Sequence, residues 1–137
     1  MPRIFSRIAP VLGLMIPLLT ALYLPLLTYE NGVVDKGWGF LIIGWLSVLD
    51  GNFAWFGNIP LLLALCLLTS KPRSAQLAAI IALAIGLTIF GYDESGAIDS
   101  SKISHITSIG SAAYLWLGTA LGIIVVAKLI DKNSATE

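Results

Sequence analysis

Residues able to do chemistry are scarce in this chain, and several of them gather in "LDGNFAWFGNIPLLL", Leu49 to Leu63. Asp50, Asn52 and Asn58 stand there among Phe53, Trp55, Phe56 and Pro60. A carboxylate inside a bilayer would point to proton or ion movement. An asparagine beside a helix-breaking proline would offer an amide and a freed carbonyl, as the broken helices of small-solute transporters do. Asp93, Glu94, Asp99 and the only histidine, His105, lie in one hydrophilic segment. That set could hold a weak cation or sense pH, but a solvated loop is the plainer reading. The single cysteine, Cys66, lies in "LLLALCLLTS" and has no partner for an internal disulfide. No H-E-x-x-H, G-x-S-x-G or C-x-x-C spacing occurs, and no phosphate-cradling glycine loop. The expectation is a protein with no catalytic group, no cofactor and no metal, whose candidate site is Asn58, Pro60, Asp50 and Asn52.

The elements around these residues must be apolar. Of the 137 residues, 57% are hydrophobic and 12% charged, with a mean hydropathy of +0.88. A soluble domain carries roughly 25% charged residues, so the composition indicates a membrane protein of one domain. A net charge of zero gives no footprint for nucleic acid.

A helix needs about 20 apolar residues to cross a bilayer core of about 30 Å. Four candidates emerge, over residues 8–28, 53–70, 75–92 and 110–127. Residues 37–49, "GWGFLIIGWLSVL", are too short to span unaided. They are expected to form an interfacial or partly re-entrant helix before the second span, although their weak amphipathicity argues against lying flat. Asp50-Gly51-Asn52 reads as the turn that ends this helix. Residues 93–109 form an outer loop, which reads as an amphipathic segment, a weak hairpin or disorder. The expected fold is therefore all-α: a polytopic protein with four transmembrane helices plus that short helix.

Charge orients the spans. Six of the eight basic residues, Arg3, Arg7, Lys71, Arg73, Lys128 and Lys132, fall on one side of a four-span arrangement. Six of the eight acids, Glu30, Asp35, Asp50, Asp93, Glu94 and Asp99, fall on the other. Basic loops stay in the cytoplasm, so both termini are expected there. A fifth full span at 37–49 would move Lys71, Arg73, Lys128 and Lys132 outside, against that rule. The first span exceeds the 7–15 residues usual in a signal-peptide core and lacks a cleavage signature, so it is expected to be retained. Pro10, Pro17 and Pro25 should bend it.

Helices in lipid approach closely where residues are small. Ala78, Ala82 and Gly86 make one smooth stripe, and Gly118 with Gly122 makes a GxxxG pair. The simplest role for both is closing the bundle within one chain; the sharper one is joining copies. Trp38, Trp45, Trp55 and Trp116 are placed as interfacial aromatics, with Trp116 expected to pack against Trp55 and Phe56.

Gly37-Trp38, Gly44-Trp45-Leu46, Trp55-Phe56, Asn58 and Pro60, with Tyr114-Leu115-Trp116-Leu117 further on, resemble a pattern in a scattered group of short bacterial inner-membrane proteins. Ile59 separates Asn58 from Pro60, where that pattern has its two positions adjacent. The resemblance implies a multi-pass protein of a bacterial inner membrane. The group has no assigned activity, so it implies no functional residue.

These readings converge on a non-enzymatic integral membrane protein acting by association. It would be an accessory or regulatory subunit, or a self-assembling membrane component. Its partners would be the lipid bilayer and either copies of itself or a larger membrane complex. The alternatives are an oligomeric channel or small-solute transporter, and an envelope-defence or immunity protein, the latter by analogy of fold alone.

Overall fold

The computed structural model describes residues 2–92, 94–95 and 104–134, with the side chains of 8–49, 51–92 and 105–132. The chain is mostly helical. Helix α1 spans Pro2–Ala21, α2 Gly37–Ile43, α3 Asn58–Leu67, α4 Pro72–Gly86 and α5 Ser111–Ser134. Tighter 3-10 turns follow α2 (Gly44–Asp50), precede α3 (Ala54–Gly57) and extend α4 (Leu87–Gly91).

Strands β1 (Pro25–Tyr29), β2 (Val34–Lys36), β3 (Glu94–Ser95) and β4 (Ser104–Ile109) form an antiparallel sheet in the order β2-β1-β4-β3. This sheet departs from the all-α expectation. Its origin is local. Pro25 disfavours the helical conformation at Leu24, and the backbone N–H groups of Leu22 and Tyr23 close a last turn onto Leu19 and Thr20. Helix α1 therefore stops at Ala21, well short of the expected end at residue 28. Beyond it, Asn31-Gly32 makes a hairpin turn. Gly32 takes a φ of 80°, which a residue with a Cβ adopts only at a cost. The Asn31 side chain accepts the Val33 N–H at 3.0 Å. The expected outer loop contains β4, which pairs with β1 through Leu27–Ile109, Thr28–Ser108 and Tyr29–Ile106. Asp93, Asp99 and Lys102 from that loop lie outside the described residues.

Four helices pack in a row, α1 on α5, α5 on α4 and α4 on α3. The core between them is built from small residues: Ala64, Ala75, Ala79, Ala82, Ala120 and Ala127 are fully or almost fully buried with Leu61, Leu68 and Ile123. Alanine lets helix axes approach closely, which is the dominant attraction where the surroundings are as apolar as the core. A second core lies at the sheet end, where Ala21, Leu26, Leu27, Ala54, Ile89, Ala112 and Ala113 meet. At the opposite end Arg73, opening α4, pairs with Asp131 near the end of α5 at 3.0 Å.

Two helical stretches, Pro72–Gly91 and Ser111–Lys132, are long and apolar enough to cross a membrane. The other apolar stretches, Ile8–Ala21, Gly37–Leu49 and Ala54–Leu67, are shorter. The first expected span is cut at its C-terminal end by Pro25. The second is cut at the turn after Leu67, where the Leu67 carbonyl takes the N–H groups of both Ser70 and Lys71, and Pro72 opens the next helix.

Candidate functional site

The stretch around Asp50 folds as a turn. Gly51 has a φ of 78° and caps the preceding 3-10 segment. Asn52 is 3% exposed. Its carbonyl accepts the Ser47 hydroxyl at 3.0 Å, and its side-chain oxygen accepts the Ala54 N–H at 2.8 Å. These bonds fix the entry into the next helix, so Asn52 holds the turn. Its buried Nδ2 has no acceptor among the described residues. Asp50 ends the 3-10 segment, and its side chain lies outside the described set.

Asn58 sits one turn further on, as the first residue of α3. Pro60 is the third residue of that helix, within the first turn, where a missing N–H leaves no intrahelical bond unmade. Phe56, four residues before Pro60, belongs to the preceding 3-10 turn and not to α3. The Asn58 amide uses both of its ends. Nδ2 donates to the Trp55 carbonyl at 2.8 Å, and Oδ1 accepts the Trp116 Nε1–H at 2.7 Å. Asn58 thereby repairs its own helix start and ties it to α5.

Trp116 fits there because two glycines make room. A methyl group placed on Gly57 would come within 2.7 Å of the Trp116 ring, and one on Gly86 would overlap the same ring and reach Leu117 at 3.0 Å. Gly86, assigned to helix packing from sequence, thus forms part of a tryptophan seat. Ala78 and Ala82, from the same stripe, are buried in the bundle core. Gly122 faces Leu14 of α1, whereas Gly118 faces outward, and a methyl group added there would meet nothing of its own chain within 4 Å.

The aromatic residues divide. Trp38 and Trp45 are half exposed, and Trp55 donates its indole N–H to the Leu41 carbonyl at 3.0 Å. Trp55 and Phe56 stack edge to face at 5.3 Å. Trp116 turns inward to Asn58, and the edge-to-face pair of Trp55 and Phe56 does not include its ring. A half-buried indole N–H needs an acceptor, and Asn58 Oδ1 supplies it.

Asn58 and Trp116 also form one wall of a cavity of about 250 Å³. Met15, Leu18 and Leu19 of α1, Phe40 of α2, Leu61 of α3 and Leu117 of α5 are among the residues that complete it. Among the described residues, the Asn58 amide and the Trp116 indole N–H are the only strongly polar side-chain groups in the lining. Among the described residues no titratable side chain lines it, so this lining is suited to holding an apolar group. Sequence reasoning found Asn58 but missed the cavity, whose walls come from five helices. Among the described residues no cluster of three or more histidine, cysteine, aspartate or glutamate side chains could hold a metal ion. His105 is exposed on β4, where its carbonyl accepts the Glu30 N–H at 3.0 Å. No family profile, curated protein or solved structure matches the chain at a significant level.

Proposed function

We propose that this is an integral membrane protein that acts by association within the bilayer and not by catalysis. In this reading α1, α3, α4 and α5 all cross or enter the membrane, and both termini lie on the basic, cytoplasmic side. The resemblance of its Gly37-Trp38, Gly44-Trp45-Leu46 and Trp55-Phe56 pattern to short bacterial proteins supports an inner membrane as its location. The observation that carries the reading is the outward surface of the bundle. Ile16 is 67% exposed on α1, Leu62 55% on α3, Leu77 60% on α4 and Val125 58% on α5. Each of the four helices therefore presents large aliphatic side chains outward, a continuous apolar surface that water disfavours and lipid accepts.

Association with a second membrane-embedded chain is supported by α5. Tyr114, Gly118, Leu121 and Val125 recur at helical spacing on its exposed face, and Gly118 leaves a flat place for a neighbouring helix. The partner is a second copy or a larger membrane complex in which this chain is an accessory subunit.

Two measurements test the proposal. Alkaline carbonate should leave the protein in the membrane pellet; release into the supernatant overturns the integral assignment. Light scattering in lipid nanodiscs should give a multiple of the 14.6 kDa chain mass, or the chain should co-purify with a stoichiometric partner. A strict, partnerless monomer overturns association.

A further inference from the structure

We propose that the cavity beside Asn58 and Trp116 binds the hydrocarbon tail of a bilayer lipid, an inference that rests on the membrane placement proposed above. The first ground is its lining. A buried water needs two to four polar partners. Asn58 has already committed one N–H to Trp55 and one lone pair to Trp116, which leaves one donor and one acceptor in an otherwise aliphatic and aromatic wall. Apolar cavities of roughly 150 Å³ stay dry and admit benzene. By proportion, about 250 Å³ admits a chain of about ten carbons.

The second ground is the position of the mouth. Met15, Leu19, Leu41 and Leu62 line the cavity and are also 38%, 51%, 42% and 55% exposed on the outer surface. They come from α1, α2 and α3. Helices α1 and α3 are the two ends of the packed row, and α4 and α5 line the inner wall of the space between them through Gly86, Trp116 and Leu117. All four of these described mouth residues are apolar, and in a bilayer the medium they face is acyl chain. A lipid tail reaches the cavity without crossing a polar barrier, whereas an ion or hydrophilic solute does not. The roof is held in place: Gly37 and Trp38 at the start of α2 donate their N–H groups to the carbonyls of Leu24 and Leu22, at 3.1 and 2.8 Å.

Trp116 reports on occupancy from inside the wall. The protein is purified in a steroid-bodied detergent, which has no flexible chain, and titrated with phosphatidylcholine carrying bromines on one acyl tail. The Trp116 emission is taken as wild type minus Trp116→Phe. The expected result is quenching of that component which saturates near one lipid per chain, while emission from Trp38, Trp45 and Trp55 falls gradually without saturating. Leu62→Phe, which narrows the exposed mouth, and Ala113→Leu, which fills the interior, should each weaken the saturable phase at least tenfold. Leu62→Phe changes a half-exposed residue, so retained helicity and thermal midpoint identify it as folded even if Ala113→Leu fails to fold. Trp116 quenching that never saturates, or that ignores both substitutions, overturns the proposal. Saturation by brominated free fatty acid but not by the brominated phospholipid also overturns it, by giving the cavity to a free acid. Failure here with retention in the carbonate-washed membrane removes the cavity assignment alone. Release by carbonate removes the membrane placement as well.

Discussion

Trp116 donates its indole N–H to Asn58 Oδ1 at 2.7 Å across a separation of 58 positions, and this bond couples the last helix to the first residue of α3. The same asparagine satisfies the Trp55 carbonyl on its other side. One amide thus holds the 3-10 turn, the start of α3 and the indole of α5 in a fixed relation. The ring lies against Gly57 and Gly86, so α4 joins the same junction. In an apolar chain this is a rare directional contact, and it fixes how the helices meet at the sheet end of the bundle.

A double-mutant cycle on Asn58→Leu and Trp116→Phe should expose that coupling. Interhelical hydrogen bonds in membranes are worth about 0.6–2 kcal/mol, and the interaction energy from denaturant unfolding in detergent should fall in that range. Asn58→Leu alone should cost more than Trp116→Phe. Leucine strands the indole N–H and leaves it unsatisfied, a penalty of about 1–3 kcal/mol, whereas phenylalanine removes the donor. Strict additivity of the two substitutions would show that the bond adds nothing to stability.

The glycines separate by what surrounds them. Gly86→Ala should destabilise the fold by about 1–3 kcal/mol, the usual cost of overpacking, because the new methyl meets the Trp116 ring and Leu117. Gly57→Ala should behave alike, with Trp116 at 2.7 Å and the Ala82 carbonyl at 3.0 Å from the added carbon. Gly118→Ala, in open space on the exposed face of α5, should be neutral or stabilising by up to about 1 kcal/mol through helix propensity. Thermal unfolding in detergent ranks the three. Equal effects at Gly86 and Gly118 would refute the tryptophan seat.

Particular residues show what local pattern reveals and what it hides. Asp50-Gly51-Asn52 announces its turn because glycine supplies the positive φ and asparagine bonds to its own backbone two residues on. Asn58 is legible as the one polar residue near the start of an aliphatic run. Its partner is not, since nothing local in sequence pairs it with a tryptophan in another helix. The β1–β2 hairpin carried a signal in Asn31-Gly32, a strong local marker of a tight hairpin turn. Hydropathy overrode it: Leu24, Leu26 and Leu27 extend the apolar run of the first helix, and a window reading hydrophobicity does not see that Pro25 changes the backbone. The cavity was beyond sequence reading altogether, because it exists only where the ends of a row of helices fail to meet.

The ion pair between Arg73 and Asp131 should matter little. Its side chains are 82% and 37% exposed, so solvent screens the attraction, and exposed pairs contribute about 0.2–1 kcal/mol. Asp131→Asn should lower the thermal midpoint by no more than a few degrees, and raised salt should shrink even that difference. A loss comparable to that of Gly86→Ala would mean the pair lies in a far less polar setting than its exposure indicates.

Cys66 offers the simplest test of where α3 resides. It is an exposed residue of α3, with Leu62 and Leu63 one turn away at 55% and 51% exposure. On a protein in water such a thiol meets any reagent in solution. With α3 in the bilayer, the same thiol faces hydrocarbon, which a charged maleimide does not enter. In intact vesicles Cys66 should therefore stay unlabelled by a membrane-impermeant maleimide added to either side. Unfolding in dodecyl sulfate should then release full reactivity. A cysteine placed at Lys71, exposed in the turn between α3 and α4, controls for access to that end of the helix and should label from one side only. Prompt labelling of Cys66 in intact vesicles would take α3 out of the lipid, and with it the mouth of the cavity.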